Sequence, residues 1–176
     1  IPDQKISGSI DITDGVLIKT KLKITLDTIL ADQRYFAVEG DEYFNASLLI
    51  KDNKSDLYLE SDLRNTKFIS VIDELSKNYL ESLQTSIKIR DLSNPTYSIS
   101  NKLFDVFFDQ ESNGFFAYGS EQNESGAYKE SKKDGFYIYL NLESIGIEDF
   151  LIDSSQNNSS NLRLIDIKTK RFNFFN

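Results

Sequence analysis

The residue types that most often perform acid–base, metal or nucleophilic chemistry are missing from this chain of 176 residues, which contains no His and no Cys. Those two types supply the commonest general base, the commonest metal ligand and the thiol nucleophile of enzymes. Any catalysis would have to rest on Asp, Glu, Lys or Tyr side chains, which leaves a hydrolase of that kind as an alternative. The sequence predicts a protein that is not an enzyme and that needs no cofactor.

One acidic motif has the spacing of a metal-binding loop. Asp109-x-Glu111-x-Asn113-Gly114 resembles the start of a calcium loop, in which oxygen ligands at alternate positions converge around a tight glycine turn. The closing Glu of such a loop falls at position twelve, which here is Ser120. We therefore expect a hairpin turn at this motif and no metal.

Two pairs of neighbouring carboxylates, Asp73/Glu74 and Glu148/Asp149, are the other candidates for acid–base work. Adjacent residues do not face each other on a helix, and they point to opposite faces on a strand. Neither pair forms a shared site by itself, so we interpret both as solvated surface.

The overall charge argues against two classes of partner. The formal net charge is -8 and the sequence pI is about 4.6, whereas nucleic acids and anionic membrane surfaces reward clusters of Lys and Arg. Lys19, Lys21 and Lys23 form one basic stripe, which we interpret as a solvated face or exposed edge. No apolar run approaches the roughly 18 residues of a membrane span.

The clearest structural signal is the alternation of apolar and polar residues from Ile6 to Leu26. Successive side chains of a strand point to opposite faces, so this pattern predicts one apolar and one polar face. Thr13-Asp14-Gly15 supplies a turn at the middle of the stretch. The sequence therefore predicts a hairpin of two long strands.

The same two-faced pattern recurs along the chain and predicts ten to twelve strands in a long antiparallel sheet. Polar turns are expected at 51–54 and 109–114, loops at 33–42, 120–135 and 153–161, and a bulge near Ile165. One or two short helices are expected, at Asp73–Leu83 and Gly146–Leu151. The pattern leaves two all-β folds open: a closed β-sandwich, or a sheet that curls without closing and leaves an apolar groove.

Two stretches resemble the YhdP branch of the AsmA-like proteins. Residues 135–151, GFYIYLNLESIGIEDFL, are similar to the family passage G-L-x-V-x-G-x-L-x-x-L-D-L-D-A-W-L. A Ser/Asn-rich loop and the strand pair 162–172, LRLIDIKTKRF, follow as they do in that family. Upstream, residues 57–63 and the segment to Ile89 resemble a further passage, so that the similarity covers roughly residues 55–175.

The resemblance implies a fold, a location and a function. AsmA-like proteins are envelope proteins of diderm bacteria, anchored in the inner membrane by an N-terminal helix. Their long, strongly curled β-sheets form an open, taco-like hydrophobic groove that carries phospholipids toward the outer membrane. For this chain we therefore expect residues 1–176 to be a single segment of a larger, repetitive periplasmic β-groove protein. Its expected partners are phospholipid acyl chains and flanking segments of the same parent chain.

In this hypothesis the apolar faces of the strands line the path of the acyl chains. The expected lining residues are Ile10, Ile12, Val16, Ile18, Leu22, Ile24, Leu57, Leu59, Phe136, Ile138 and Leu140. The alternative from another functional class is a non-catalytic β-sandwich that serves as an adhesion or spacer module of a large surface protein. That protein would bury the same residues in a dry core.

Overall fold

The computed structural model of the chain describes residues 8–26, 36–70, 73–119, 134–146 and 162–173. These residues form an all-β fold, as the sequence predicts, and the single helical element among them is a 3-10 turn at Asp73–Leu75. The twelve strands are β1 Gly8–Asp11, β2 Val16–Thr25, β3 Phe36–Glu39, β4 Asp41–Lys51, β5 Lys54–Ser61, β6 Lys67–Ser70, β7 Thr85–Arg90, β8 Thr96–Ser100, β9 Phe104–Phe108, β10 Gly114–Tyr118, β11 Phe136–Gly146 and β12 Leu162–Asn173.

Ten of the strands form one open sheet in the order β1-β2-β4-β5-β7-β8-β9-β10-β11-β12. Every pair from β1 to β10 is antiparallel, as expected, but β10–β11 and β11–β12 are parallel. The prediction of a purely antiparallel sheet was wrong at this end. Connections of a dozen or more residues permit parallel crossovers, and residues 119–135 and 147–161 are that long.

The predicted hairpin turns are confirmed, and short polar side chains stabilise them. In the β1–β2 turn the Asp11 carboxylate accepts hydrogen bonds from the Thr13 backbone N–H at 2.9 Å and from its hydroxyl at 2.6 Å. Between β4 and β5, Asp52 and Asn53 have φ of 50° and 60°. Two successive left-handed residues define the type I′ turn that matches the twist of paired strands.

The predicted bulge also exists, close to its expected position. Along β11 and β12 the register shifts between Phe136 and Tyr137, which pair with Leu162 and Leu164 respectively. One extra residue of β12 is therefore accommodated at position 163, two residues before Ile165.

Two short strands were not predicted: β3 lies within the expected loop at 33–42, and β6 lies just before the expected helix at 73–83. β3 and β6 form a separate antiparallel pair, with Val38 opposite Phe68. They lie at the open end of the β4–β5 hairpin, where Gly40 bends the chain with φ of 114° and a Cβ would lie 2.2 Å from the Asn65 carbonyl oxygen. This bend lets the pair fold back over the apolar face of the large sheet.

The predicted helix at 73–83 is wrong beyond its first turn, because the backbone of this segment bonds to residues 62–68 instead. Phe68 and Lys77 exchange two backbone hydrogen bonds of 2.8 and 3.1 Å, and Leu83 N–H donates to the Asp62 carbonyl at 2.7 Å. We call β3, β6 and residues 73–83 together the lid. The predicted helix at 146–151 lies outside the described residues except for Gly146, which ends β11, and the loops at 120–135 and 153–161 also lie largely outside them.

The main core lies between the lid and the ends of the sheet's strands that are farther from the β4–β5 turn. Its buried residues are Val38, Phe44, Ala46, Leu59, Leu63, Phe68 and Leu83. A second cluster, Tyr118, Leu140 and Leu142, continues this packing toward β11 and contacts Leu75 of the 3-10 turn. At this end, therefore, the fold has two layers.

Candidate functional site

The registers of the large sheet align two uncharged rows of residues from edge to edge on one face. The outer row, nearer the hairpin turns, is Ile10, Ile18, Leu48, Leu57, Ile89, Tyr97, Phe108, Gly114, Phe136 and Leu162. The inner row, nearer the lid, is Gly8, Thr20, Ala46, Leu59, Ile87, Ile99, Val106, Phe116, Ile138 and Ile165. We call the two rows the apolar strip. With strands about 4.8 Å apart, the strip is about 43 Å long.

On β4, β5 and β11 the exposure of this face rises with distance from the lid. On β4, Phe44 is 1% exposed, Leu48 is partly exposed, and Ile50 beside the turn is 38% exposed. In the outer row all side chains from β2 to β9 and that of Phe136 are partly exposed, and Ile10 on the edge strand is 70% exposed. The outer row therefore presents apolar surface that the lid does not cover, whereas Ala46 and Leu59 of the inner row are buried in the main core.

The expected lining residues lie in several different environments. Ile10, Val16, Ile18 and Phe136 lie partly or largely exposed on the strip or beside it, and Leu57 and Ile138 are partly exposed but also pack against the two clusters. Leu22 and Ile24 pack against the core beneath the lid, whereas Leu59 and Leu140 are buried within the two packed clusters. Ile12 belongs to the β1–β2 turn and is 77% exposed.

The strip also contains large apolar side chains that are not among the expected lining residues. Those whose side chains the structure describes are Leu48, Ile87, Ile89, Tyr97, Ile99, Val106, Phe108 and Phe116. Five of them lie on β4, β7 and β8, where the alternation of apolar and polar residues in the sequence indicates that they belong to the apolar face. In β9 the signal is obscured because Phe107 makes the strand apolar on both faces.

Aromatic stacking fills the strip in its second half. The rings of Tyr97 and Phe108 stack with centroids 4.7 Å apart, and those of Phe104 and Phe116 lie 5.7 Å apart. Offset stacking of this kind adds to the apolar area that each ring contributes. The surface is therefore continuous across β8, β9 and β10.

The lid is fastened to the far side of the sheet by Glu74. Its carboxylate accepts the backbone N–H groups of Glu143 and Ser144, both at 3.0 Å, where β11 extends beyond the end of β10. Its carbonyl oxygen accepts the Tyr118 hydroxyl at 2.6 Å. Burial raises the pKa of Tyr118 above its ordinary value, and the nearby Glu74 carboxylate adds to the rise. These bonds make the lid a fixed wall along one side of the strip.

A buried lysine holds the lid together from within. Lys77 is 4% exposed, and its ammonium group donates to the carbonyl oxygens of Thr66 at 2.7 Å and Asn78 at 3.0 Å. Burial lowers the pKa of Lys77, against the opposing effect of Glu81 and Glu42. Its backbone bonds and its ammonium group both serve the lid, so its role is structural.

The reverse face of the sheet carries charged side chains on β2, β5 and β7. The predicted basic stripe lies there: Lys19, Lys21 and Lys23 are exposed, and Lys23 forms an ion pair with Asp41. At β9–β11 this face carries a small packed cluster around Phe115, Ala117 and Tyr139, which are buried. The two faces therefore differ: the strip has aligned rows without charge, whereas the reverse face combines charged and polar residues with this cluster.

The acidic motif at 109–114 forms the β9–β10 turn, as predicted. The Asp109 carboxylate accepts the backbone N–H groups of Glu111 and Asn113, both at 2.9 Å. Burial alone would raise the pKa of Asp109, but the hydrogen bonds from Asn113 and Glu111 outweigh it and lower the pKa. Within the described ranges, no group of three acidic side chains is arranged to hold a metal ion.

Within the part of the chain that the structure describes, no helix has the length and hydropathy to cross a membrane. Comparisons of the chain with protein-family models, curated proteins and solved structures find no match.

Proposed function

We propose that the apolar strip is the floor of a groove for phospholipid acyl chains, and that this chain is a segment of a periplasmic lipid-transfer bridge between the inner and outer membranes. The observation that carries the proposal is the strip itself, in which none of the twenty aligned positions is charged. A partly exposed apolar surface of this length is unusual in a soluble protein and marks an interaction site.

The energetics of such a groove need no specific contacts. Each CH₂ group removed from water contributes about 0.8 kcal/mol, so a chain of sixteen carbons gains on the order of 10 kcal/mol from contact with an apolar wall. A wall without charges or deep pockets binds every position of the chain equally well. A lipid can therefore slide along it, which is the property that a transfer bridge requires.

The direction of the strip favours a bridge over a closed lipid pocket. Both rows run across the strands and reach β1 and β12, which have one neighbouring strand each among the described residues. Flanking segments of a parent chain could continue the rows by pairing with these edges. The resemblance of residues 135–151 to AsmA-like proteins supports the same proposal, since most of that passage forms β11.

The test introduces a charge on the strip and compares it with a charge on the reverse face. Ile18→Asp places a carboxylate in the outer row, and Lys19→Asp places one on the adjacent, exposed position of the other face. After incubation with phosphatidylcholine vesicles and repurification, native mass spectrometry counts the lipids bound to each variant. We expect bound lipid in the wild type and in Lys19→Asp, and at least a tenfold loss in Ile18→Asp.

Folding of each variant is verified by circular dichroism and urea denaturation, and Ile138→Asp repeats the test on β11. Lipid bound normally to folded Ile18→Asp would contradict the groove. Well-folded wild-type protein that takes up no lipid would instead favour the non-catalytic adhesion or spacer module.

A further inference from the structure

The two long sides of the apolar strip differ, and this difference has a consequence for the lipid. We propose that bound lipids place their headgroups beside the hairpin turns and that the groove therefore prefers zwitterionic headgroups to anionic ones. The inference rests on the proposed function and specifies the class of lipid.

The lid fixes the orientation of the lipid. On the lid side the strip ends against packed side chains such as Phe44, Tyr118 and Leu140, and Glu74 ties this wall to β11. A phosphate group cannot enter this wall without losing its hydration. On the other side the strip ends at exposed turns, where Ile12 and Ile50 are 77% and 38% exposed. This side offers water to a headgroup along the row of turns.

The turn side carries an excess of negative charge. Among the described residues, seven carboxylates lie in or next to its turns: Asp11, Asp14, Asp52, Asp91, Asp109, Glu111 and Asp134. Four cationic residues of the same described ranges lie at this end, Lys51, Lys54, Arg90 and Arg163, and the Lys51 ammonium binds the Asp14 carboxylate at 2.8 Å. The Ser93 hydroxyl hydrogen-bonds to Asp91 and lowers the pKa of that carboxyl group. This side therefore stays negative at neutral pH.

These carboxylates are close enough to the strip to act on a headgroup. Asp91 lies two residues beyond Ile89 of the outer row, a backbone distance of about 7 Å. Asp52 lies two residues beyond Ile50, the apolar residue that follows Leu48 of the outer row on the same face of β4. The Debye length is about 8 Å at physiological ionic strength, so their repulsion of an anionic headgroup is incompletely screened. A zwitterionic headgroup carries no net charge and escapes most of this repulsion.

The experiment is a competition between two lipids with the same acyl chains. The 176-residue chain is incubated with vesicles of equal parts palmitoyl-oleoyl phosphatidylcholine and palmitoyl-oleoyl phosphatidylglycerol, and the lipid that co-purifies is extracted and quantified by mass spectrometry. We expect at least a threefold enrichment of phosphatidylcholine at 20 mM salt. The enrichment should disappear at 0.5 M salt, where the Debye length is about 4 Å.

The double variant Asp52→Asn/Asp91→Asn removes two turn charges without straining the backbone, because Asn tolerates the left-handed conformation that both residues adopt. The control Glu60→Gln/Asp73→Asn makes the same change in net charge at exposed positions away from the turns. We expect the first variant to lose at least half of the enrichment and the control to retain it. Equal uptake of both lipids by the wild type, or equal effects of the two variants, would overturn the headgroup preference while leaving the groove intact. Absence of both lipids would overturn the groove.

Discussion

The apolar face has one end that the lid covers and one end, beside the hairpin turns, that it leaves open. The same strands, with the same alternation of apolar and polar residues, form both ends, yet their side chains lie in different environments. On β4, Phe44 lies beneath the lid and is 1% exposed, whereas Leu48, four residues later on the same face, is only partly buried. Nothing in the local pattern separates these two residues. What separates them is the Gly40 bend, which brings β3 and β6 over one end of the sheet. The comparison shows that apolar alternation defines a face, and that a neighbouring element decides whether the face becomes core or binding surface.

The largest expected effect contrasts the two ends directly. Phe44→Ala removes a fully buried ring from the main core, which typically costs about 3–5 kcal/mol. Leu48→Ala removes a partly exposed side chain from the strip, and we expect a cost of about 1 kcal/mol. Urea denaturation followed by circular dichroism measures both. Equal losses for the two variants would show that the open end is covered in solution and would contradict the comparison.

The second prediction concerns the bend that creates the covered end. Gly40→Ala places a Cβ against the Asn65 carbonyl oxygen at a φ of 114°, and we expect a loss of about 3 kcal/mol from strain and displacement of the lid. Hydrogen exchange should accelerate in β3 and β6 and remain unchanged in β8 and β9. Uniform acceleration throughout the chain would mean that the lid is not a separable element.

The third prediction tests the fastening of the lid. Glu74→Gln retains one acceptor oxygen but loses the second, so one of the two N–H bonds to β11 is lost at a cost of about 1–2 kcal/mol. Exchange of the Glu143 and Ser144 amides should accelerate. Asp73→Asn, on the exposed neighbouring residue of the same turn, is the control and should leave both amides protected. If the two variants behave alike, the lid is held by packing alone.

The smallest expected effect is a dependence of stability on pH. Burial lowers the pKa of Lys77 in the folded state, so between that value and 10.5 the unfolded chain binds more protons. The free energy of unfolding should therefore rise with pH in this window, by at most about 1.4 kcal/mol per pH unit for one proton. Above pH 10, Tyr118 lowers the free energy of unfolding as the pH rises. Burial raises the pKa of Tyr118 in the folded state, so its contribution to stability is complete below pH 10 and is lost as the pH rises through the folded-state pKa.

Urea titrations at intervals from pH 8 to pH 10 measure this slope, and Lys77→Met should abolish its contribution. Lys88→Met, on an exposed residue of the reverse face, should retain it. A slope that persists in Lys77→Met would assign the effect to another group.

Much of the sheet follows from local signals in the sequence. The alternation of β2 and the turn residues Asp52 and Asn53 determine which residues pair, because a one-residue slip would turn each apolar face to the solvent. The lid could not be predicted in this way. β3 and β6 have four residues each, too few to establish a period, and they exist because the β4–β5 hairpin supplies a surface to cover.

The parallel end of the sheet was mispredicted for a related reason. Turn signals predict hairpins well, but the order of strands after a long polar connection depends on which edge is free when the chain returns. The sequence predicted which residues share the apolar face of the sheet, but it did not predict which of them remain exposed. Ile18 and Leu57 remain accessible, whereas Leu59 and Leu140 lie in packed clusters, a distinction that depends on elements distant in sequence.

The rows of the strip run across the strands, and this has a consequence for how such a protein can change its length. Each additional hairpin would extend the path by two strands, about 10 Å, without altering its width or its chemistry. Because a strand contacts mainly its immediate neighbours in the sheet, an inserted hairpin leaves the rest of the path undisturbed, much as a unit does in a repeat protein. In the proposed bridge, each gene segment that encodes a hairpin would therefore add a fixed length to the path, and duplication of such segments would adjust the span to the distance between two membranes.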